Sequence, residues 1–480
     1  MKNLLLLLSI LFFTLSCNKD FLNTVPKTSI EESQAFNTPN QIIAHLNNLY
    51  GQLQNPIFYG GRYIIFNEQR GDEFGQNDGN AATGSAVWNQ NVASTNEYIN
   101  NVWSAAYTAI NSANILMSNL NTTTVISDSL AKIYIGESKF VRALAYLSLL
   151  QTYAKPYNVD KSALGVPLRL TPITSSGFND LARSSVEEVY IQIIKDLDEA
   201  EKDLPVSNTS SYLNTTHAIK SSAIALKTRV YLNQSNYNKV IEEANKIVSN
   251  TSPFVYNNNG ITLKLESSFA QIFSGSYTGS ESIFSIAFAN TTTETPPSQF
   301  SLAFNYNVQP IIFLATAGII SDPTFSDSKD SRSLLIGLDK ANHKILKKFT
   351  INTAPFRDYV PVIRYAEVLL NYAEALARTN QLNQSIELLK AVRIRSNVNY
   401  QFASDDIVDS DKLTNTILKE RRIELLGEGF RLQDLQRLQK TLPAKSGSIG
   451  TAPEVPVTAK NYIWPIPSGE LSSNKLCLPN

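Results

Sequence analysis

The stretch from Leu369 to Val392 reads LLNYAEALARTNQLNQSIELLKAV and has the pattern of two short antiparallel helices joined by a tight turn. In a tetratricopeptide hairpin, small residues recur where the two helices cross and large apolar residues stand beside them. The matching positions are Leu369, Tyr372, Ala373, Leu376, Leu382, Ser385, Leu389 and Val392, with the turn at 379–381. The stretch therefore predicts a tetratricopeptide-like helical hairpin.

The same pattern occurs once more, earlier in the chain and with identical internal spacing. Its positions are Ile224, Thr228, Tyr231, Tyr237, Val240, Ala244 and Ile247, with the turn at 234–236. An ordinary solenoid places such repeats in tandem, whereas these two are far apart in sequence. A large segment is therefore expected between the two hairpins.

Further long helices are predicted ahead of these hairpins. Residues 96–120 and 133–153 carry apolar residues at helical spacing. Ser184 or Ser185 can cap the next helix, because Glu187 and Glu188 would lie in its first turn, where the helix dipole favours anions. We expect a mainly α fold, a superhelix of helical hairpins.

The remaining segments have a different composition, rich in Ser, Thr, Asn, Gly and aromatic residues. We expect one body over 17–480, with a helical scaffold at about 30–53, 96–250 and 357–440, loop-rich segments at about 54–95 and 251–356, and a tail at 441–480. Only residues 282–289 alternate well enough for a short strand. Long irregular segments in a compact protein tend to carry function, so the ligand site is expected there.

The N-terminus has the pattern of a lipoprotein signal. Lys2 precedes an apolar run, Leu4 to Leu15, which is shorter than the roughly 20 residues that span a bilayer. Ser16 is the small residue that a signal peptidase needs, and Cys17 follows it directly. We expect a signal peptide at 1–16 and lipid on Cys17, with a simple secretory signal as the alternative.

The composition excludes several classes of partner. Lys plus Arg and Asp plus Glu both count 42, so the net charge is zero and nucleic acid is not an expected ligand. The neutral balance also argues mildly against a strongly acidic glycan. With two cysteines in 480 residues, Cys17 and Cys477, no cysteine zinc site or disulfide framework can form.

A charged helix is predicted from Ile417 to Leu438. Glu420, Glu424 and Glu428 recur at every fourth residue and would lie on one stripe of the helix. A catalytic carboxylate array is one interpretation, but acid-base catalysis needs carboxylates across a cleft rather than along one helix. We therefore favour an ion-pair network.

Several blocks, in this order, resemble the SusD/RagB family of Bacteroidetes outer-membrane lipoproteins. They are Cys17 to Leu22, Gly136 to Tyr146, Arg183 to Tyr190, Arg364 to Ala375, Glu420 to Leu425 and Pro465 to Pro467. The resemblance implies a tetratricopeptide-like scaffold with an irregular ligand-binding region. It further implies a lipid-anchored protein of the cell surface that captures oligosaccharides, or in some cases peptides, and covers a SusC-like TonB-dependent transporter.

Candidate ligand-binding residues follow from the chemistry of sugars. A sugar presents a flat C–H face that stacks on aromatic rings and hydroxyls that pair with amide, carboxylate or guanidinium groups. We expect Trp88 to be a stacking platform, with polar contacts from Arg70, Asp72 and Asn77. Trp88→Ala would then abolish binding with little change in melting temperature. Further contacts are expected from the central segment, from Tyr277, Phe304 and Tyr306. The alternative for each aromatic residue is that it packs its own loop onto the helices.

An enzyme, such as a polysaccharide hydrolase, is a competing class. The three histidines, His45, His217 and His343, have no Ser or Asp partners recognisable from the sequence, and no nucleophile elbow or metal-ligand spacing occurs. A purely structural scaffold would leave both aromatic and polar segments unexplained. The sequence therefore predicts a binding protein without catalytic residues, metal or cofactor.

Overall fold

The structure is a computed structural model, and it describes residues 35–175, 177, 179–273, 278–288 and 298–480. The predicted signal segment 1–16, Cys17 and Tyr277 lie outside the described residues. Within the described part, no helix is both long enough and apolar enough to cross a membrane.

The described residues form a mainly helical molecule with small antiparallel sheets, which confirms the predicted fold class. The helices are α1 Pro39–Leu53, α2 Arg62–Arg70, α3 Ser85–Trp88, α4 Glu97–Leu120, α5 Asp128–Tyr153, α6 Val186–Asp203, α7 Ser211–Thr216, α8 Lys220–Asn233, α9 Tyr237–Ala244, α10 Phe269–Ile272, α11 Tyr365–Arg378, α12 Leu382–Ser396, α13 Ser410–Glu424, α14 Arg431–Arg437 and α15 Ser468–Ser473. The strands are β1 Phe74–Gln76, β2 Leu164–Pro167, β3 Arg183–Ser185, β4 Tyr256–Asn258, β5 Ile261–Leu263, β6 Ser282–Ile286, β7 Ile312–Leu314, β8 Ile336–Leu338, β9 Lys344–Leu346, β10 Val360–Arg364, β11 Lys445–Gly447 and β12 Gly450–Ala452.

Helices α4, α5 and α6 pack side by side as an antiparallel stack. Four buried alanines of α4 leave room for close approach to α5: Ala105, Ala106, Ala109 and Ala113. Helix α6 begins at Ser185, whose hydroxyl accepts from the Glu188 backbone N–H at 3.2 Å while the Glu188 carboxylate accepts from the Ser185 N–H at 2.7 Å. This capping box satisfies two donors of the first turn and confirms one of the two predicted caps.

The two predicted hairpins are present as α8 with α9 and α11 with α12. Their turns share the same backbone geometry, since Ser235 and Asn380 both have left-handed φ values, 54° and 62°. The next residue of each turn donates its N–H back into the first helix, at 2.9 Å from Asn236 to the Tyr231 carbonyl and at 2.8 Å from Gln381 to that of Leu376. The equal sequence spacing is thus matched by an equal hydrogen-bond pattern.

The hairpins are neighbours in space although a long segment separates them in sequence. Helix α9 packs against α11. The Asn371 amide donates to the Thr228 hydroxyl at 3.0 Å, and the Tyr372 hydroxyl donates to the side-chain Oδ1 of Asn245 at 2.5 Å. Strand β6, which lies where the short strand is predicted, pairs with β10 directly ahead of α11. The chain therefore departs from the helical scaffold at β6 and rejoins it at β10, and these two strands lie side by side.

The three glutamates of the charged stripe lie in a buried ion-pair layer, which we define as Glu281, Arg332, Lys348, Arg364, Arg393, Arg395, Glu420, Glu424 and Glu428. Glu424 accepts from Arg395 at 2.6 Å and from Arg364 at 3.1 Å. Burial alone would raise the pKa of Glu424, but the surrounding guanidinium groups hold it well below its usual range. The predicted ion-pair network is confirmed, but the single helix predicted over 417–438 is wrong. Helix α13 ends at Glu424, and Gly427 and Gly429 adopt positive φ values of 79° and 84° before α14 begins, so Glu428 lies outside both helices.

Arg364 pairs with three carboxylates of this layer. Its guanidinium contacts Glu281 at 2.6 Å and Glu428 at 2.7 Å in addition to Glu424. Because Glu281 precedes β6 and Arg364 ends β10, the layer joins the inserted segment to α13 and to the loop after it. Arg364 is 1% exposed, so these contacts are shielded from water.

Candidate ligand-binding cleft

A cleft of about 720 Å³ opens where the N-terminal and central segments meet. Its lining comes from Asn77, from residues 307–310 and from the β8–β9 hairpin at 338–341, 345 and 347. We call these residues the ligand cleft. Its volume is within the range of about 300–1,000 Å³ that is usual for small-molecule sites.

The cleft is formed by pairing between distant parts of the chain. Strand β1 pairs with β7, and the Asn77 backbone N–H continues the ladder by donating to the Ile311 carbonyl at 2.9 Å. The Asn77 side chain donates to the Pro310 carbonyl at 3.0 Å. The two segments predicted to carry function are thus joined at this point.

Residues 304–308 form a single π-helical turn that supplies Asn307 and Val308 to the cleft. Such turns occur frequently at functional sites. Hydrogen bonds fix this turn, because the buried Arg62 guanidinium donates to the side-chain Oδ1 of Asn305 at 3.2 Å and the Asn305 side-chain amide donates to the Ser301 backbone carbonyl at 2.7 Å. Helix α2 therefore supports this side of the cleft.

Close packing of the segment just ahead of this turn depends on a glycine directly before α2. Gly61 has a φ of 144°, and a Cβ there would lie 2.0 Å from the Phe300 carbonyl oxygen. Only a residue without a side chain permits this approach.

The lining is polar with exposed apolar patches. Three amide side chains, those of Asn77, Asn307 and Gln309, can both donate and accept hydrogen bonds. Val308 and Leu338 are 42% and 62% exposed. Hydroxyl-bearing ligands with apolar faces fit such a surface.

A stacked ring pair stands beside the cleft. The rings of Phe313 and His343 are 4.2 Å apart between centroids and inclined by 12°. The Asp339 carboxylate fixes His343, with Nδ1 to Oδ2 at 2.9 Å and the His343 backbone N–H to Oδ1 at 2.8 Å. The interpretation that His343 lacks an Asp partner is therefore wrong. Asp339 is that partner, and it fixes the orientation of the His343 ring.

Trp88 does not offer a face to a ligand. It is fully buried, its indole N–H donates to the Phe74 carbonyl at 2.9 Å, and the Lys445 ammonium lies 5.5 Å from the ring. The structure contradicts its assignment as a stacking platform, because the ring packs α3 and β1 against the tail.

The two charged candidates are committed to internal contacts. Arg70 is buried, donates to the Tyr462 carbonyl at 2.8 Å, and has its pKa lowered to about 10 by burial. Asp72 is half-buried and accepts from Arg431 at 2.5 and 2.9 Å. Burial would raise the Asp72 pKa, but the hydrogen bonds and charge of Arg431 lower it. The structure contradicts a ligand-binding role for Arg70 and pairs Asp72 within the fold.

The central aromatic candidates also pack inward. Tyr306 is fully buried and donates to the Gly427 carbonyl at 3.1 Å. Phe304 is half-buried, and its ring packs edge-on against Phe356 at 5.6 Å. Neither lines the cleft, so the packing alternative holds for both. Of the predicted residues that the structure describes, Asn77 is the one at the cleft.

The sequence did not single out Gln309, Asp339, Lys340 and Lys347. A signal for the last three exists in residues 336–347, where two short apolar runs flank the polar turn Asp339 to His343. Asn307 follows Tyr306 directly in the sequence, and its polar side chain is the signal there.

Two other polar clusters have their ion-pair partners within the fold. Asp198, Glu201 and Glu243 lie close enough to hold a cation, but the Lys227 ammonium already contacts all three, at 2.8 Å to Asp198 and 3.0 Å to Glu243. His217 pairs with Glu137, Nδ1 to Oε2 at 2.8 Å, in a partly buried contact between helices.

Comparison with known proteins agrees with this architecture. A profile described as the SusD family matches residues 340–478, and one described as starch-binding, associating with outer membrane, matches residues 20–232. A solved SusD superfamily protein from Bacteroides fragilis is 32% identical with a TM-score of 0.83, over 92% of this chain and 99% of its own.

Two further proteins are similar over nearly the whole length. SusD-like protein P38 of Formosa agariphila is 26% identical, over 94% of this chain and 92% of its own. A solved laminarin-binding SusD-like protein has the same fold, with 23% identity and a TM-score of 0.70 over 93% of this chain and 99% of its own. With this fold and these matches, the chain belongs to the SusD/RagB family.

Proposed function

We propose that the protein is a glycan-binding lipoprotein of the outer membrane, exposed at the cell surface. It captures oligosaccharides in the ligand cleft and delivers them to a partner TonB-dependent transporter of the SusC-like kind. The observation that carries the proposal is the cleft of about 720 Å³ with three amide side chains on its walls.

The chemistry of the cleft suits a sugar. Amide groups pair with hydroxyls in either direction, so Asn77, Asn307 and Gln309 can follow the rim of a sugar ring. The exposed surface of Val308 and Leu338 can cover its C–H face. The name of one relative, a laminarin-binding protein, and the starch-binding description of the matching profile support the same ligand class.

Calorimetric titration of the mature protein with a panel of neutral and acidic oligosaccharides tests the proposal. Gln309→Ala is expected to weaken binding about tenfold, because a hydrogen bond within a cleft is worth about 1 kcal/mol or more. Asn48→Ala is the matched control, since Asn48 is an exposed amide residue on α1 away from the cleft.

The same titrations separate the alternatives. Binding of peptides but of no oligosaccharide would support a peptide-binding member of the family. Release of new reducing ends from a bound glycan would support a hydrolase. Either outcome would overturn the proposal.

The membrane anchor is a separate part of the proposal and rests on Cys17 and the family. Acylation of Cys17 places a lipid at the start of the mature chain, and a diacylated anchor holds a protein stably at a membrane. Cys17→Ala is expected to move the protein from the membrane fraction to the soluble fraction. Unchanged membrane association would contradict the anchor.

A further inference from the structure

The charge of the ligand cleft differs from that of the whole chain. The chain has zero net charge, but the titratable residues of the lining are two lysines, Lys340 and Lys347, and one carboxylate, Asp339. Among the described residues, neither lysine forms an ion pair. Both ammonium groups are therefore available to a ligand.

The single carboxylate of the lining is engaged by its own hairpin. One Asp339 oxygen accepts from the backbone N–H groups of Ala341 and His343, both at 2.8 Å, and the other pairs with the His343 ring at 2.9 Å. The nearby Asp78 is exposed, accepts from the Asn80 N–H at 2.6 Å and is not part of the lining. With two lysines and one ionised carboxylate, the lining carries one net positive charge, and the lysines are its groups without an ion-pair partner among the described residues.

The stem of Lys347 lies beside Gly337 of the other strand of the hairpin. A Cβ on Gly337 would lie 2.4 Å from the Lys347 Cδ, so the glycine leaves room for the lysine stem to cross the strand. The stem lies on the hairpin surface and its charged end remains in water at the cleft.

We propose that the ligand cleft selects oligosaccharides that carry carboxylate or sulfate groups, with Lys340 and Lys347 as their charge contacts. The inference rests on the proposed function and names the ligand class within it. Complementary charge contributes mainly to selectivity and association rate, while the amide side chains hold the sugar hydroxyls. The neutral total charge of the chain does not oppose this, because beyond about 10 Å exposed charges are screened by salt.

The test compares three probes by calorimetry: short oligogalacturonides, short sulfated carrageenan oligosaccharides and neutral laminari-oligosaccharides. We expect the full-length mature protein to bind one or both acidic probes more tightly than the neutral probe. The double variant Lys340→Gln, Lys347→Gln should weaken binding of that acidic probe about tenfold, since each exposed ion pair is worth up to about 1 kcal/mol.

A second double variant, Lys329→Gln with Lys344→Gln, is the control. It removes the same charge from exposed lysines, one of them on the same hairpin, that do not line the cleft. We expect it to bind the acidic probe like the wild type. Equal loss in both variants would mean that total charge matters rather than the cleft, and would overturn the inference.

The remaining outcomes distinguish the inference from the function on which it rests. Binding of the neutral probe alone, or an unchanged affinity for acidic probes in the Lys340 and Lys347 variant, overturns the inference and leaves the proposed function in place. Binding of acidic peptides but of none of the three glycans overturns both. Tighter binding of oligogalacturonides would indicate carboxylate ligands, and tighter binding of carrageenan oligosaccharides would indicate sulfate ligands.

Discussion

Glu68 is a buried carboxyl group on α2, the helix that supports the cleft, and it faces the loop after α13. It is 1% exposed and accepts a hydrogen bond from the Gly429 N–H at 2.6 Å. Burial raises its pKa to about 8, and the nearby carboxylates Glu73 and Glu428 add to the rise. The group therefore holds a proton in the folded protein at neutral pH.

This proton makes stability depend on pH. An unfolded glutamate has a pKa of about 4.3, so between about pH 4.3 and pH 8 the folded state binds more protons than the unfolded state. The contribution of Glu68 to stability is fully present below that range and is lost as the pH rises through it, by about 1.4 kcal/mol per pH unit at most. Glu68→Gln removes this dependence.

We expect Glu68→Gln to gain stability relative to the wild type as the pH is raised from about 5 to about 8. Urea unfolding at several pH values in this range measures the difference. Curves for the two proteins that run parallel across the range would show that Glu68 ionises as readily in the folded state as in the unfolded chain.

Replacing Trp88 tests whether its ring contributes to packing or to ligand binding. Removing a fully buried tryptophan leaves a cavity, so Trp88→Ala is expected to destabilise the protein by about 3–5 kcal/mol. Trp88→Phe keeps part of the ring and should cost less. Urea unfolding measures both, and an unchanged midpoint for Trp88→Ala would restore the view of an exposed platform.

At the scale of elements, the ion-pair layer joins the inserted segment to α13. Arg364→Leu would remove the cation that Glu281, Glu424 and Glu428 share. These carboxylates would then remain buried without it. The expected loss is about 3–5 kcal/mol, because a buried charge without its partner is poorly compensated. Thermal or urea unfolding measures it.

An exposed ion pair provides the control for that change. Lys390 and Glu387 pair at 3.1 Å with side chains 45% and 53% exposed. Lys390→Ala should change stability by less than about 1 kcal/mol. Similar losses for Arg364→Leu and Lys390→Ala would show that burial of the layer does not matter.

Helices were predictable from the sequence where one face is apolar and the other polar. The hairpins at α8–α9 and α11–α12 follow such patterns, and local spacing determined them. Helix α2 was missed, because all nine residues from Arg62 to Arg70 are buried and five of them are charged or amide residues. Their partners lie far away in sequence, as Tyr462 does for Arg70, so no local pattern reveals them.

At the scale of the whole molecule, the cleft depends on contacts that sequence spacing does not show. Asn77 contacts Pro310 and Ile311 beside the β1–β7 pairing. More than half of the residues of the helical scaffold lie between these positions in the sequence. Composition drew attention to both segments, but their aromatic residues mostly fix these segments to the helices. Trp88 and Tyr306 are examples, and their burial could not be read from neighbouring residues.

The pairing of β6 with β10 has a consequence for how the ligand region can change. Once the scaffold and this strand pair bring Ser282 and Arg364 together, the chain between them is a closed loop. The entropy of closing a flexible loop grows only logarithmically with its length, so doubling the number of residues costs about 0.6 kcal/mol. Lengthening the parts of this loop that do not contact the helices thus costs the scaffold little, provided that Arg332 and Lys348 keep their places in the ion-pair layer. The cleft can change in this way while the helices stay the same.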